Sequence, residues 1–287
     1  MAEPPDRAST AHRREFGDEL RRLRKSRGLS GRQLADAVGW SLAKLSKLEA
    51  GFRGTSEWEI GVLLGACGAD RAARDRVREL MSPDRRAFVR GIGATIDSMA
   101  GVDLHERLAL SIRCFEPFVV PALLQSEGYM RALFHAELGF GESHTKAVWA
   151  RLGRQDAWRY KGTASAFYIA ESALSTVVGG PVVMHEQMMW LLGASQQPDV
   201  VVRVVPPYEG LPVLTSRAVE VHVSGASDPM VYLELDAVTA FVDDPQMTKA
   251  YRHRFAVLGN ISLDPEPSRE FIARQAAAWM ERIKRDA

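Results

Sequence analysis

Residues 29–51, LSGRQLADAVGWSLAKLSKLEAG, constrain the fold of this chain more than any other stretch. Leu34, Ala35 and Val38 recur at helical spacing and give a first short helix an apolar face. Gly39 breaks that helix, Ser41 stands where an N-cap is expected, and Gly51 closes a second short helix. In the second helix Leu45 and Leu48 turn inward, while Lys44 and Lys47 point outward. Two short helices joined by so tight a turn make either a plain αα-hairpin or a helix-turn-helix, whose second helix lays its N-terminal residues in the major groove of DNA. In the helix-turn-helix arrangement Leu42, Ala43, Ser46 and Lys47 face base edges, and Arg32, Lys44 and Arg53 lie nearer to phosphates. Gln33 and Ser41 complete the candidate DNA-binding set. Lys47 is placed to donate to guanine O6/N7, and Leu42 and Ala43 to touch a thymine methyl.

The flanking segments read as more short helices. Phe16, Leu20 and Leu23 share one face of a helix from His12 to Arg27. Ser56 to Ala66 predicts a fourth helix with Trp58 near its start, and Asp70 to Met81 a fifth whose Arg71, Arg74, Arg76 and Arg78 form a mostly solvated face. Residues 1–11 read as a polar tail. Ser82-Pro83-Asp84 is the clearest boundary signal in a 287-residue chain whose length fits two domains. The expected organisation is a helix-turn-helix DNA-binding domain over 12–82, a helical connector over 83–113, and a regulatory or dimerisation domain over 114–287.

Charge separates the same two halves. Residues 1–90 carry 19 Lys and Arg against 13 Asp and Glu, a net +6, and the remainder carries 18 against 23, a net −5. A basic unit suits a phosphate backbone, although such a surplus is also met on ordinary solvated surfaces. Cys67 and Cys114 lie far apart among apolar residues, which predicts core thiols rather than a disulfide framework or zinc site. No run of 18 apolar residues occurs, and the N-terminus lacks the apolar run of a signal peptide, so a cytoplasmic protein without a membrane segment is expected.

After residue 114 the pattern becomes mixed. Strands are expected at 166–170, 199–205, 217–223 and 230–235, and helices at 123–138, 143–159, 181–196, 249–262 and 268–284. The fold class is therefore α+β: an all-α five-helix N-terminal domain, then a mixed α+β domain with a small sheet of about four strands. No G-x-S-x-G, H-E-x-x-H or phosphate-binding loop is present. His12, His105, His135, His144, His185, His222 and His253 share no ligand spacing. The reading is accordingly not an enzyme, with no catalytic residue, metal or cofactor. Arg151, Arg154, Gln155 and Glu171 form the most distinctive polar group, since Arg151 and Arg154 share one helix face. They fit either a partner or ligand site or an internal ion pair with Glu171 that fixes helix to sheet. Met184, Met188, Met189, Trp190, Met230 and Trp149 fit either an adaptable binding surface or a core.

Residues 15–66 resemble the DNA-binding domain of phage-repressor-type (Xre/Cro-like) regulators, through Leu34, Ala35, Val38, Gly39, Ser41, Leu45, Ser46, Leu48, Glu49 and Gly51. That resemblance implies that Glu49 braces the turn rather than touching DNA. The family often has Gln where this chain has Gly31. Residues 110–285 resemble the C-terminal domain of a large actinobacterial regulator family described as antitoxin-like or WhiJ-like, long labelled as of unknown function. The matching residues are Phe118 to Gln125, Arg151-Leu152-Gly153-Arg154-Gln155, Glu171 to Leu174 followed by Gly179-Gly180, Met184 with Gln187, and Val204-Val205-Pro206. The chain departs from it at Ala122, Ser126 and Pro207. The resemblance implies a regulator whose second domain takes a ligand or a partner protein, and a homodimer on operator DNA is expected because one short module has a small interface and paired half-sites raise affinity and specificity. Its variant is an antitoxin-like protein that neutralises a small co-encoded partner and regulates its own operon.

Overall fold

The computed structural model describes residues 9–52, 54–81, 87–90, 96–138, 141–207, 218–222, 229–235 and 238–286. The chain forms two compact units, one comprising residues 1–88 with Phe241–Asp244 and the other Val89–Ala240 with Pro245–Ala287.

The first unit holds five helices: α1 (Ala11–Ser26), α2 (Gly31–Ala37), α3 (Leu42–Glu49), α4 (Glu57–Ala66) and α5 (Arg71–Leu80). Each begins with a hydroxyl or carboxylate at the N-cap. Thr10, Ser30, Ser41, Ser56 and Asp70 accept from the main-chain N–H three residues on, at 2.8–3.3 Å. These caps satisfy helix-end donors that helices so short cannot leave unpaired. Ser30 with Gln33 and Ser56 with Glu59 form full capping boxes. Leu20, Leu34, Ala35, Leu45, Leu48, Ile60, Leu63, Cys67 and Val77 build the core, with Phe16, Leu23 and Val38 packed against it.

Two close approaches set α1 against α3. A Cβ on Gly17 would lie 2.5 Å from the Glu49 carbonyl oxygen and 2.6 Å from that of Leu48. Gly51 has φ +77°, and a Cβ there would lie 2.8 Å from the Arg14 nitrogen. Only glycine lets the two backbones come this near.

The second unit is an α+β domain. β2 (Ser111–Glu116), β3 (Ala164–Ala170) and β4 (Val200–Val205) run parallel, β2 beside β3 and β3 beside β4. β5 (Ala218–His222) lies antiparallel to β2, and β6 (Met230–Leu235) antiparallel to β5. With β1 (Ala87–Arg90) and β7 (Val238–Val242) the described sheet has seven strands in the order β1-β7-β6-β5-β2-β3-β4. The helices are α6 (Ile96–Leu108), α7 (Glu127–Leu138), α8 (Glu142–Lys161), α9 (Glu171–Ser175), α10 (Pro181–Ala194), α11 (Pro245–Ile261) and α12 (Pro265–Asp286). Parallel neighbours require crossovers, and α7 with α8 and then α9 with α10 supply them. Adjacent residues of β3 serve opposite faces of the sheet. Phe167 meets Trp158 of α8 edge-on at 5.7 Å, while Tyr168 packs on Phe255 of α11 at 6.1 Å.

The sheet is larger than the sequence pattern indicates. The expected connector contains β1, α6 and the first half of β2, and α6 and β2 belong to the second unit. Cys67 and Cys114 are both buried thiols, and neither forms a disulfide. Met184, Met188 and Met230 are core, whereas Met189, Trp190 and Trp149 are exposed.

Candidate nucleic-acid interface

The residues expected to meet DNA lie on or beside α2 and α3. Ser41, Leu42, Ala43, Ser46 and Lys47 are exposed, while Leu45, Leu48 and Glu49 on the same helix are buried. Arg32 and Gln33 are exposed on α2, although the Gln33 side chain already accepts from Ser30 N at 2.8 Å. Arg53 lies outside the described residues.

Lys44 departs from its expected place. Instead of standing free beside Lys47, its ammonium pairs with the Glu59 carboxylate of α4 and sits 3.7 Å from the Trp40 ring centroid. Hydrogen bonds from Lys44, then from Thr55 and the Ser56 main chain, hold the Glu59 carboxyl at about 2, well below its ordinary value. Lys44 thus ties the start of α3 to α4, and its charge is already engaged.

Behind α3 lies a second anchor that the sequence pattern does not reveal. Arg24 of α1 donates from Nε to Glu49 Oε1 at 2.7 Å and from Nη2 to Oε2 at 2.8 Å, and its Nη1 donates to the Leu29 carbonyl at 2.8 Å. Arg21 adds a bond to the Glu49 carbonyl at 3.3 Å, placing a cation at the C-terminal end of α3. The side-chain hydrogen bonds to Glu49 raise the Arg24 guanidinium above its ordinary value. Glu49 is a buried brace between α3 and α1.

In the second unit Arg151, Arg154, Gln155 and Glu171 do not form one exposed site. Arg154 is buried and grips Glu106 of α6 at 2.9 and 2.7 Å, and Tyr232 of β6 donates to the same carboxylate at 2.9 Å. Burial opposes the Arg154 charge, but the field and hydrogen bonds of Glu106 outweigh it, so its pKa is raised. The carboxylate that fixes this arginine is Glu106, from a segment read as connector, and not Glu171.

Gln155 and Arg151 serve a neighbouring buried turn. Pro121–Ser126 includes a 3₁₀ turn at Ala122–Leu124 whose main-chain groups lack regular partners. Gln155 Nε2 donates to the carbonyls of Ala122 and Gln125 at 2.8 and 2.9 Å. Gln187 donates to the Leu124 carbonyl at 2.9 Å and accepts from Ser126 N at 2.7 Å. Gln125 donates to the Val120 carbonyl and accepts from Arg151 Nη1, both at 2.8 Å. Val120 N donates to the Tyr129 hydroxyl at 3.2 Å, and burial pushes that hydroxyl up to about 12. Buried irregular backbone needs such partners. Arg151, Gln155 and Gln187 therefore converge on the one turn formed by the segment 120–126.

Three histidines bond to main-chain carbonyls: His105 to Gly101, His144 to Arg131 and His185 to Ala276, at 2.7–3.0 Å. Among the described residues no group of three or more His, Cys, Asp or Glu is arranged to hold a metal ion. No described helix is long and apolar enough to cross a membrane.

An N-terminal helix-turn-helix unit followed by an α+β unit defines the class of a DNA-binding regulator. Residues 15–77 match the family model described as "Helix-turn-helix domain". Residues 102–274 match the model described as "Domain of unknown function (DUF5753)", and the chain belongs to that family. No curated protein matches the chain. Among solved structures, the clp gene regulator ClgR from C. glutamicum is similar at 28% identity, covering 28% of this chain and 100% of its own, with a TM-score of 0.22. TrmBL2, an archaeal chromatin protein, is similar at 10% identity over 82% of this chain and 88% of its own, with a TM-score of 0.33.

Proposed function

We propose that this chain is a sequence-specific transcriptional regulator of the Xre/Cro type that binds operator DNA through α3 and carries a regulatory second domain. One observation supports the DNA reading above others: α3 exposes Ser41, Leu42, Ala43, Ser46 and Lys47 along one side, while Glu49, Leu45 and Leu48 lock the other side into the core. Such a helix presents a rigid polar edge, and rigidity limits the entropy lost on docking. Lys47 reads a base, and Arg32 and Arg53 contact phosphates. Gln33 works mainly as a helix cap and Lys44 mainly as a brace.

The protein works as a homodimer in the cytoplasm, because one short module has a small interface and paired half-sites raise both affinity and specificity. The acidic second unit is suited to an effector rather than to DNA. Its ligand, or a small co-encoded partner in an antitoxin-like (WhiJ-like) arrangement, shifts DNA affinity by a coupling of about 1–3 kcal/mol, and DNA shifts effector affinity equally. This role does not fall on Arg154 or Gln155, whose polar groups are engaged inside the domain. No catalytic step is assigned to the chain.

The test is selection of duplexes from a random library by the full chain, followed by anisotropy titrations of the selected site and a scrambled one. Lys47→Ala is expected to erase about 1–3 kcal/mol of discrimination. Arg32→Ala is expected to weaken both duplexes equally and reduce the salt slope by about one. Equal loss on both duplexes with Lys47→Ala removes Lys47 as a reader. No enrichment and no binding at low salt overturns the DNA reading.

A further inference from the structure

Six residues of α8 share one outward stripe. Glu142, Lys146, Trp149, Gly153, Asp156 and Tyr160 succeed one another at steps of four, three, four, three and four, and all six are exposed. The stripe runs for about 27 Å at the helical rise of about 1.5 Å per residue. Trp149 is 64% exposed and Tyr160 97%, so two large aromatic rings stand in water on the same side of one helix. Resting on the reading that the protein is a homodimer, we propose that this stripe is the dimer seam, where α8 packs antiparallel on α8 of a second copy.

The order of the residues supports a second copy over another occupant. The spacing reads the same from either end, with its midpoint at position 151. A two-fold axis crossing the helices there sets each residue of one copy against a different residue of the other. Trp149 falls opposite Gly153, Lys146 opposite Asp156, and Glu142 opposite Tyr160, each pair occurring twice. Such an isologous contact needs a face complementary to itself, and this one is complementary in size, charge and hydrogen bonding alike.

Gly153 supplies the fit in size. Glycine in the middle of a 20-residue helix weakens it. Nothing described inside the domain asks for one here, since an added Cβ meets no atom within 4 Å. Against a second helix the missing side chain leaves a hole that receives the indole of Trp149 from the other copy.

Charge selects the direction. Lys146 bonds Glu142 on its own helix, and Arg159 lies 3.6 Å from Asp156, yet the side chains of Lys146 and Asp156 stay 55% and 78% exposed. In the antiparallel arrangement the Lys146 ammonium meets the Asp156 carboxylate across the seam, and the Tyr160 hydroxyl donates to Glu142. A parallel pairing sets Glu142, Lys146 and Asp156 each against its own kind, which like-charge repulsion disfavours. Arg154, Gln155 and Trp158 bond the back of α8 to its own domain, so little freedom is lost when the stripe docks. A single helix pair lies at the low end of interface sizes, and micromolar affinity is expected.

Sedimentation velocity of the full chain across the micromolar range follows the monomer–dimer equilibrium, and circular dichroism checks that each variant keeps its helices. Trp149→Ala is expected to weaken the dimer by about tenfold or more, as the loss of a central aromatic anchor does. Gly153→Leu fills the hole and is expected to abolish the dimer. Lys146→Glu and Asp156→Lys are each expected to weaken it, and the two together to restore it, because the exchanged charges again face their opposites. Trp58→Ala removes an 80% exposed ring from the first unit and is expected to leave the dimer unchanged. A dimer untouched by Trp149→Ala and Gly153→Leu, a double charge variant no tighter than the single ones, or a dimer lost with Trp58→Ala overturns the seam and leaves the homodimer standing. A chain that stays monomeric at high micromolar concentration overturns the homodimer itself.

Discussion

Arg24 and Glu49 face each other through two parallel hydrogen bonds of 2.7 and 2.8 Å, and this pair fixes α1 to the last turn of α3. Both side chains are almost fully withdrawn from water. A guanidinium and carboxylate in this setting are held by geometry, and either one alone becomes an uncompensated charge. Glu49→Ala is therefore expected to cost about 3–5 kcal/mol. Urea unfolding of the full chain, followed by far-UV circular dichroism, measures it. The matching Glu49→Gln variant should recover only part of the loss, because the neutral amide keeps one acceptor and brings two donors against Arg24.

Gly17 offers a purely steric test of the same packing. Its missing side chain makes room for the carbonyl oxygens of Leu48 and Glu49. Gly17→Ala is expected to destabilise the first unit by about 1–3 kcal/mol or more through overpacking, despite alanine's better helix propensity. The comparison is Gly61→Ala in α4, where an added Cβ meets nothing within 4 Å. That variant should be neutral or stabilising, by up to about 1 kcal/mol.

Much of the first unit is legible from the chain because each of its signals is local. Caps at Ser41 and Ser56, a break at Gly39 and apolar spacing at Leu34, Leu45 and Leu48 all act within a few residues. Arg24 is harder to see, since an arginine in a basic helix gives no hint that it reaches a carboxylate 25 residues away. Lys44 misleads for the same reason: its spacing beside Lys47 suggests solvent, but Glu59 waits one helix later. In the second unit β2 goes unread, since residues 111–113 fall in the segment expected to be a helical connector and no strand is expected before residue 166. Its six residues sit directly after a helix, and only pairing with β3 and β5 makes the strand definite. The buried glutamines are the least legible. Gln125, Gln155 and Gln187 look like surface residues until the turn they satisfy is seen.

The Lys44–Glu59 pair predicts an acid response. Glu59 titrates lower in the folded protein than its ordinary 4.5, at about 2. A carboxylate with a depressed folded pKa contributes stability above its unfolded value and loses it as pH falls toward the folded one. The contribution from Glu59 should therefore be complete at neutral pH and fade between about 4.5 and 2. Glu59→Gln is expected to flatten stability against pH in that window, with little change in slope above it. Thermal melts of the two proteins from neutral pH downward give the comparison. Lys44→Met should produce a similar flattening, and should cost DNA affinity less than Lys47→Ala if Lys44 acts as a brace.

Glu106 makes the strongest prediction for the second unit. Its carboxylate receives both arms of Arg154 and the Tyr232 hydroxyl, so α6, α8 and β6 meet at one buried group. Glu106→Ala strands the Arg154 charge and is expected to cost about 3–5 kcal/mol. Tyr232→Phe removes one hydrogen bond, keeps the ion pair, and is expected to cost about 1–3 kcal/mol. Arg154→Met strands the Glu106 carboxylate in the same way and is expected to cost about 3–5 kcal/mol as well. Chemical denaturation of the three variants at neutral pH ranks them. A loss in Glu106→Ala or Arg154→Met no larger than that in Tyr232→Phe would show that the buried pair is not what holds α6, α8 and β6 together.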